Sequence, residues 1–588
     1  MTVKVMNRLL ALIMTMMLVF ASIATAYATD DAYPKSYTYN YDYWGDVRES
    51  PDAYRVANVI YLNELSIEPL EDKIAAEEAA EAEVEPTPVE AEPTEADAEP
   101  AEAEAEADAA EAEAEVEAEV EATPAEPVAD EEPAKTDAYV ALEKEQETMM
   151  KKPQSLFIRN QDIYVCDTNN NRIIQIHKND DGSYSLVRVI KEVKGTDVTT
   201  FNTPYDVFVD ENDNIYVADT NNSRVVMMDK ELNHIRSFVK PTDSTFDQSL
   251  SFMPSKIVVD NSGRLFVLAT NVNKGLVKYE SDGTFTGFIG ANKVSYNFLD
   301  YVWKMYFTTK EQRAQQEAFV PTEYRNIYMD EDSFIYATNV TFSEYDLLWD
   351  VAQPIRRLNG IGNDILIKND RYPPIGELYW VEGDIQGKGP SKLVDITVLG
   401  DDIYVALDET RGRLFGYDSQ GIMLWAFGTS GNNEGAFNSA IALDHMGNDL
   451  FVLDQNEASI TVFTPTEYGQ LIYDASRAYI KGDYDGSALL WEEVLKLNAN
   501  YNLAFIGIGR SLMRQEKYTE AMEMFEMAHD RENYGRAFKQ YRKIWVEQNI
   551  GWLAAIIVVV LVVPLVIKNV KKTRMEVETY ESKKAAHK

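Results

Sequence analysis

Short runs of alternating hydrophobic residues, separated by polar turns, fill the middle of the chain from residue 153 to residue 466. The runs are rich in Val, Ile, Tyr and Phe and the turns in Asn, Asp and Gly, a pattern typical of β-hairpins. The pattern also repeats, because Pro153, Pro204 and Pro254 open three units that start 51 and 50 residues apart. About four strands in every 40–50 residues is the period of a β-propeller blade.

Weaker copies of the unit begin near Ile327, Val394 and Ile441, which brings the number of predicted blades to six. The sixth unit ends at Pro465 before a fourth strand has formed. Residues 53–61, far upstream, have the hydrophobic pattern of the missing strand. The predicted fold is therefore mainly β: a six-bladed propeller closed by an N-terminal strand, since closure leaves no free sheet edge.

Two ten-residue stretches are nearly identical: IYVCDTNNNR at 163–172 and IYVADTNNSR at 215–224. They resemble the NHL repeat, a family of propeller blades. The resemblance spans residues 153–465, with close matches in two blades and looser ones elsewhere, and it implies a propeller without implying a reaction. Asp167 and Arg172 in the first stretch recur as Asp219 and Arg224 in the second. We expect each aspartate to hydrogen-bond within its own repeat.

Beyond the predicted propeller, residues 468–549 have hydrophobic positions at helical spacing. Tyr484 and Tyr518 lie 34 residues apart, as do Trp491 and Phe525. This resembles a pair of tetratricopeptide repeats, which implies a protein-binding helical region. A spacer that supports the propeller is an equally open interpretation.

Two further hydrophobic segments indicate export and anchoring. Residues 1–28 combine basic residues, an apolar run and small residues, as in a secretory signal peptide. Residues 550–567 form an uncharged run long enough to cross a bilayer. Residues 568–588 then form a basic tail, which the positive-inside rule places in the cytoplasm. We therefore expect a single-pass cell-membrane protein with its N-terminus outside.

The formal net charge of −43 is unevenly distributed. Between Glu71 and Asp137 there are 27 acidic and 2 basic residues. This Ala/Glu/Pro insertion lies within the linker 62–152, and its composition predicts disorder. A solvated spacer and a weak binder of cations both remain open. Strong negative charge also argues against a nucleic-acid partner.

The expected interaction surface is the propeller face that carries the connections between blades, because long connections on a rigid scaffold commonly carry function. It includes two asparagine-rich loops and an aromatic stretch in the connection 291–321. The candidate residues are Asn169, Asn170, Asn171, Asn221, Asn222, Trp303, Tyr306 and Phe307.

The segment 29–52 carries an alternating aromatic stripe, formed by Tyr37, Tyr39, Tyr41, Tyr43 and Trp44. Alternation at a period of two places side chains on one face of a strand. The stripe either packs against the propeller or serves as a platform for a sugar or peptide.

No catalytic, cofactor-binding or metal-ligating residue can be assigned. The five histidines match no metal motif, and the single Cys166 is expected to fill a strand core. The expected function is binding: a scaffold outside the cytoplasm for protein or glycan partners. Its domain organisation resembles that of accessory proteins of transport or envelope systems in Gram-positive bacteria. Alternatives are a metal-dependent lactonase or lyase, for which Asp206 and Asp395 lie on inner strands, and a mechanical spacer.

Overall fold

The structure is a computed structural model, and it describes residues 37–70, 136–270, 272–291, 324–348, 352–368, 372–378 and 389–586. The signal peptide, most of the acidic insertion and the aromatic residues Trp303, Tyr306 and Phe307 lie outside these ranges. Six sheets surround a central channel, each with an inner strand followed outward by its hairpin partners.

The N-terminal part contributes strands to three different blades. Its elements are β1 (Thr38–Tyr41), β2 (Val47–Glu49), β3 (Tyr54–Tyr61), β4 (Ser66–Ile67) and helix α1 (Asp137–Gln146).

The first three blades follow the NHL-like sequence pattern. Blade one contains β5 (Ser155–Arg159), β6 (Asp162–Asp167), β7 (Arg172–Lys178) and β8 (Tyr184–Ile190). Blade two contains β9 (Pro204–Val209), β10 (Ile215–Asp219), β11 (Arg224–Met228) and β12 (His234–Val239). Blade three contains β13 (Pro254–Val259), β14 (Leu265–Ala269), β15 (Leu276–Tyr279) and β16 (Phe285–Ile289).

The second half of the ring is less regular. Blade four contains β17 (Asn326–Met329), β18 (Ile335–Thr338), the short helix α2 (Glu344–Leu348) and β19 (Ile355–Leu358). Blade five contains β20 (Leu393–Val398), β21 (Tyr404–Asp408), β22 (Arg413–Tyr417) and β23 (Met423–Phe427), followed by a small pair, β24 (Thr429–Ser430) and β25 (Ala436–Phe437). Blade six contains β26 (Ala440–Met446), β27 (Asp449–Asp454) and β28 (Ser459–Pro465).

The N-terminal strand β3 closes the ring, as the sequence predicts. It pairs antiparallel with β28 along its whole length, from Tyr54 opposite Pro465 to Tyr61 opposite Ser459. Two additions were not predicted. β1 pairs with β23 and β2 pairs with β1, which extends blade five to six strands, and β4 adds a parallel fifth strand to blade one beside β8.

Hydrophobic side chains fill the space between each pair of neighbouring blades. The cluster between blades five and six extends into the helical region that follows β28. This continuity joins the two parts of the molecule through one core.

The helical region contains α3 (Glu467–Lys481), α4 (Tyr484–Leu497), α5 (Asn502–Arg514), α6 (Tyr518–Met527) and α7 (Arg531–Ala586). Successive helices pack side by side, with Trp491 against Gly507 and Phe525 against Gly509. In the described ranges, α7 is the one helix long and apolar enough to cross a membrane. It begins in the helical region and continues without a break through residues 550–567.

Candidate functional site

A cavity of about 700 Å³ opens at one end of the central channel. Its wall consists of the inner strands of all six blades, and its rim consists of the turns that join each inner strand to its neighbour. Eleven acidic residues line the cavity, against the two cationic residues Arg159 and Lys256 and the histidine His445. The lining is therefore mainly acidic. Five of its carboxylates pair with basic side chains: Asp206 with Lys256, Asp260 with Arg264, Asp330 and Asp402 with Arg357, and Asp401 with Arg477 and Lys481.

Lys256 is the buried cation of this cavity, with 8% of its surface exposed. Its Nζ lies 3.4 Å from Oδ1 of Asp206, which also accepts a hydrogen bond from Ser155. The other oxygen of Asp206 accepts from the backbone N–H of Ile257 at 2.8 Å. Burial favours the neutral amine, but the carboxylates of Asp206 and Asp395 outweigh it and raise the pKa of Lys256 above its usual value.

Asp395 occupies the opposite half of the channel wall. Its oxygens accept hydrogen bonds from the backbone N–H groups of Ile396 and Leu443, each at 2.7 Å, and from the side-chain amide of Asn326. Burial raises the pKa of Asp395 to about 7, because a charged carboxylate loses its hydration there.

Asp444 links blade six to blade one in the same manner. Its Oδ2 accepts from the backbone N–H of Ile158 at 2.6 Å, and its Oδ1 accepts from the hydroxyl of Thr397 at 3.2 Å. Thr397 also lies 2.7 Å from Nδ1 of His445. Asp206, Asp395 and Asp444 thus connect neighbouring inner strands around the ring.

The rim owes its charge to turns that begin with aspartate. Asp210 and Asp260 each accept hydrogen bonds from backbone N–H groups two and four residues ahead, which fixes the turn. The residues inside the turns can therefore be charged and exposed. Glu211, Glu331 and Asp332 are exposed at the rim. The turns at 210–213 and 330–332 each join the inner strand of a blade to its antiparallel neighbour.

The channel residues do not form a metal centre. Within the described ranges, no group of three or more His, Cys, Asp or Glu side chains could hold a metal ion. The inner-strand carboxylates Asp206 and Asp395 instead accept hydrogen bonds from the neighbouring blade.

The asparagine loops predicted as an interaction surface lie at the other end of the blades, where their side chains bond within the protein. Asn170 donates to Asp167 and to the carbonyl of Met149, and Asn171 accepts from the backbone N–H of Thr203. In blade two, Asn221 donates to the hydroxyl of Thr203 at 2.6 Å, and Asn222 donates to Asp219 and to the carbonyl of Thr200. The backbone N–H of Asn169 donates to the carbonyl of Lys151.

The repeated aspartate and arginine pair with each other in blades one and two, as expected. Asp167 accepts from Nε of Arg172 at 2.7 Å, and Asp219 accepts from Nε of Arg224 at 2.8 Å. Cys166 is fully buried in β6, and burial raises the pKa of its thiol well above its usual value.

The tyrosine stripe lies mostly against blade five. Tyr39 is fully buried and donates to Glu377 at 2.9 Å, and Tyr41 also donates to Glu377. Tyr37 donates to the carbonyl of Gly435 at 3.0 Å. Tyr43 and Trp44 at the hairpin tip contact each other and the ring of His529, and Trp44 remains 60% exposed.

The acidic rim is the feature that the sequence reasoning missed as a site. Each turn was interpreted by itself, although the inner-strand registers place all six turns at one end of the channel. The aspartates that directly follow three inner strands, Asp210, Asp260 and Asp330, were the available signal.

The comparisons agree with a propeller of the NHL type. The NHL repeat family model matches residues 201–226, which include β9 and β10. No curated protein matches the sequence. The chain is thus a six-bladed β-propeller with an NHL repeat, followed by a helical region with a long apolar C-terminal helix.

Among solved structures, virginiamycin B lyase from Staphylococcus aureus is 11% identical, with 54% of this chain and 96% of that chain covered and a TM-score of 0.33. A putative gluconolactonase is 10% identical, with 54% and 89% covered and a TM-score of 0.33. Hydrazine synthase of Kuenenia stuttgartiensis is 10% identical, with 54% and 84% covered and a TM-score of 0.32. Likenesses this distant have no bearing on the chemistry of this chain.

Proposed function

We propose that the protein is a membrane-anchored binding protein that holds its propeller outside the cytoplasm and receives a basic segment of a protein partner at the acidic cavity. The observation that carries the proposal is the cavity itself, with eleven acidic residues around an opening of about 700 Å³. A cleft lined mainly by acidic side chains attracts ligands of the opposite charge. Lysine and arginine side chains supply that charge in proteins.

The exposed rim carboxylates favour a basic protein segment over a neutral glycan. Glu211, Glu331 and Asp332 project at the mouth, where charged side chains can be met without full desolvation. The wall carboxylates deeper in the channel already accept backbone hydrogen bonds, so they define the shape of the site and not its chemistry. This arrangement supports recognition and not turnover.

The attachment of the helical region supports an anchored scaffold. Tyr501 donates to the carbonyl of Leu424 at 2.5 Å, and the hydroxyls of Tyr54 and Tyr473 lie 2.7 Å apart. At the start of α3, Gly469 lies so close to the carbonyl of Ala53 that a Cβ atom would meet it at 2.1 Å. The propeller is therefore held against the helices that lead into α7, and tetratricopeptide-like binding by these helices stays part of the proposal.

Binding of a lysine-rich peptide to the full chain in nanodiscs tests the proposal. We expect oligolysine to bind with an affinity that falls as salt rises, and oligoglutamate not to bind. The triple variant Glu211→Gln, Glu331→Gln, Asp332→Asn should weaken oligolysine binding by at least about tenfold, because it removes three charges at the mouth.

The matched control neutralises three acidic residues in outer turns at the same end of the blades: Asp180→Asn, Glu231→Gln and Asp282→Asn. It changes the net charge equally but leaves the cavity rim intact. Equal loss of binding in both triple variants would reduce the effect to overall charge and overturn the cavity as the site.

A further inference from the structure

Helix α7 carries an exposed aromatic stripe between the helical region and the apolar run. Five aromatic residues recur at spacings of four, three, four and seven, and each is 37% to 46% exposed. At about 100° per residue these positions fall within about 60° of one another on the helix surface. The five are Tyr534, Phe538, Tyr541, Trp545 and Trp552.

Among the described residues, the ring–ring contacts of the stripe are between its own members. Every residue of α7 is described, and Ala537 is the one that is buried. It packs in a cluster with Ala521 and Phe525 of α6. Within the stripe, the rings of Phe538 and Tyr541 lie 6.5 Å apart and those of Trp545 and Trp552 lie 6.0 Å apart. Each of these four side chains is 38% to 46% exposed.

We propose that the aromatic stripe of α7 is the interface of a parallel homodimer, in which the same face of α7 from a second copy of this chain covers it. The inference rests on the proposed membrane anchoring, because copies that cross one membrane in the same direction have parallel helices. The occupant is thus this chain itself, and the contact is a two-helix coiled coil.

The spacing of the stripe is that of a coiled coil. Alternating steps of four and three residues give the 3.5-residue period that keeps one face of a supercoiled helix against its partner. Continued into the apolar run, the same register reaches Ala555, Val559, Val562 and Val566 without meeting a charge. Gln548 is the polar position in the seam, and a single polar residue there can fix the register of two helices.

The opposite face of the helix is basic and suits solvent. Arg536, Lys539 and Lys543 lie about 140–200° away from Tyr534, at about 100° per residue. A helix with one aromatic and one cationic face buries the first against a partner and leaves the second in water. The dimer interface and the basic face therefore lie on different sides of α7.

Lipid covers at most one end of the stripe. From Tyr534 to Trp552 the helix rises about 27 Å, at 1.5 Å per residue. The interfacial layer on each side of the hydrocarbon is about 5–8 Å thick, which accommodates Trp552 and its near neighbours but not the whole stripe. The aromatic residues farther from the apolar run need a protein partner to leave water.

The area available is sufficient for a specific contact. An aromatic side chain offers roughly 150–250 Å², so the exposed fractions amount to on the order of 80–100 Å² for each residue. Two copies would bury on the order of 900 Å² from the aromatic residues alone, close to the roughly 1,000 Å² expected of a biological interface. The valines within the apolar run add to this area.

Cysteine cross-linking tests the dimer cleanly, because the chain has one cysteine and it is buried. In a Cys166→Ala background, which places in β6 the residue that Ala218 supplies in β10, single variants Phe538→Cys and Tyr541→Cys would be reconstituted in proteoliposomes at high lipid excess. Two differently tagged versions would be co-expressed. After mild oxidation we expect a product of twice the chain mass that contains both tags.

The matched controls are Lys539→Cys and Lys543→Cys, on the basic face of the same helical turns. We expect at least about tenfold less cross-linked product from them. Equal yields from both faces, or no product from the stripe, would overturn the dimer. In intact cells, a stripe product with the mass of a different protein would overturn it in favour of a foreign partner.

Alkaline carbonate extraction of the same samples measures anchoring separately. Chain that stays in the lipid pellet without stripe cross-links overturns the dimer and leaves the anchoring in place. Chain released from the pellet overturns the anchoring, and with it the parallel pairing that depends on it.

Discussion

At the scale of single residues, this propeller depends on buried carboxylates that join one segment of chain to another. Asp219 is fully buried, accepts from the backbone N–H of Asn202 at 2.8 Å, and pairs with Arg224. The same position in blade one, Asp167, binds Lys151 and Arg172 in the same way. The repeat therefore uses one carboxylate both to hold the connection that leads into its own blade and to neutralise a buried guanidinium.

Replacing Asp219 by Ala should destabilise the propeller strongly. The change leaves the guanidinium of Arg224 buried without its salt-bridge partner, which costs about 3–5 kcal/mol. Urea unfolding of the full chain in detergent, followed by circular dichroism, measures the shift. Asp229→Ala in an exposed turn of the same blade is the control and should cost about 1 kcal/mol or less. Similar losses in the two variants would contradict the role given to Asp219.

At the scale of elements, the N-terminal strand determines whether the ring closes. β3 is the outer strand of blade six, and Ile60 on it is 3% exposed and packs into the cluster between blades six and one. Asn58, two residues earlier on the same strand, is exposed. Burial therefore differs along β3, and Ile60 lies where the strand contacts the core.

Ile60→Ala should lower the free energy of unfolding by about 2–5 kcal/mol, because it leaves a cavity in a packed core. Asn58→Ala, two residues away on the same strand, should change it by no more than about 0.5 kcal/mol. Thermal denaturation of both variants with the wild type provides the comparison. An equal effect of the two substitutions would show that β3 does not carry core packing.

At the scale of the whole molecule, the propeller and the helical region form one packed unit. Tyr473 of α3 is fully buried, and its ring contacts Tyr54 and Trp425 of the propeller at centroid distances of 6.3 Å each. Arg477, one turn later, donates to the carbonyl of Leu399 and to Asn448. We therefore expect the two parts to unfold together.

Tyr473→Ala should separate them. Loss of the buried ring costs about 3–5 kcal/mol at the junction, so calorimetry should show two thermal transitions where the wild type shows one. Leu489→Ala in α4, where the side chain is 62% exposed, should leave a single transition. A single transition in Tyr473→Ala, merely shifted to lower temperature, would mean that other contacts suffice to couple the two parts.

The sequence by itself determined the blades and the ring closure, because both depend on local alternation of hydrophobic residues and on a repeat of about 50 residues. It also determined the helical region and the apolar run, since their periods are local properties of the chain. The asparagine loops stay a predicted interaction surface. Their hydrogen bonds to Met149 and Thr203 were not predicted, because these partners lie 21 and 18 positions away in the sequence.

Only the tertiary structure decided where the charges meet. The acidic turns of four blades, which are far apart in the sequence, form one rim because the ring brings the ends of the inner strands together. Likewise, the pairing of β1 with β23 brings Tyr39 and Tyr41 to the buried Glu377, which lies more than 300 positions away in the sequence. Pairing at a sheet edge depends on backbone N–H and C=O groups, which do not differ between residue types. The pattern of side chains therefore does not predict it.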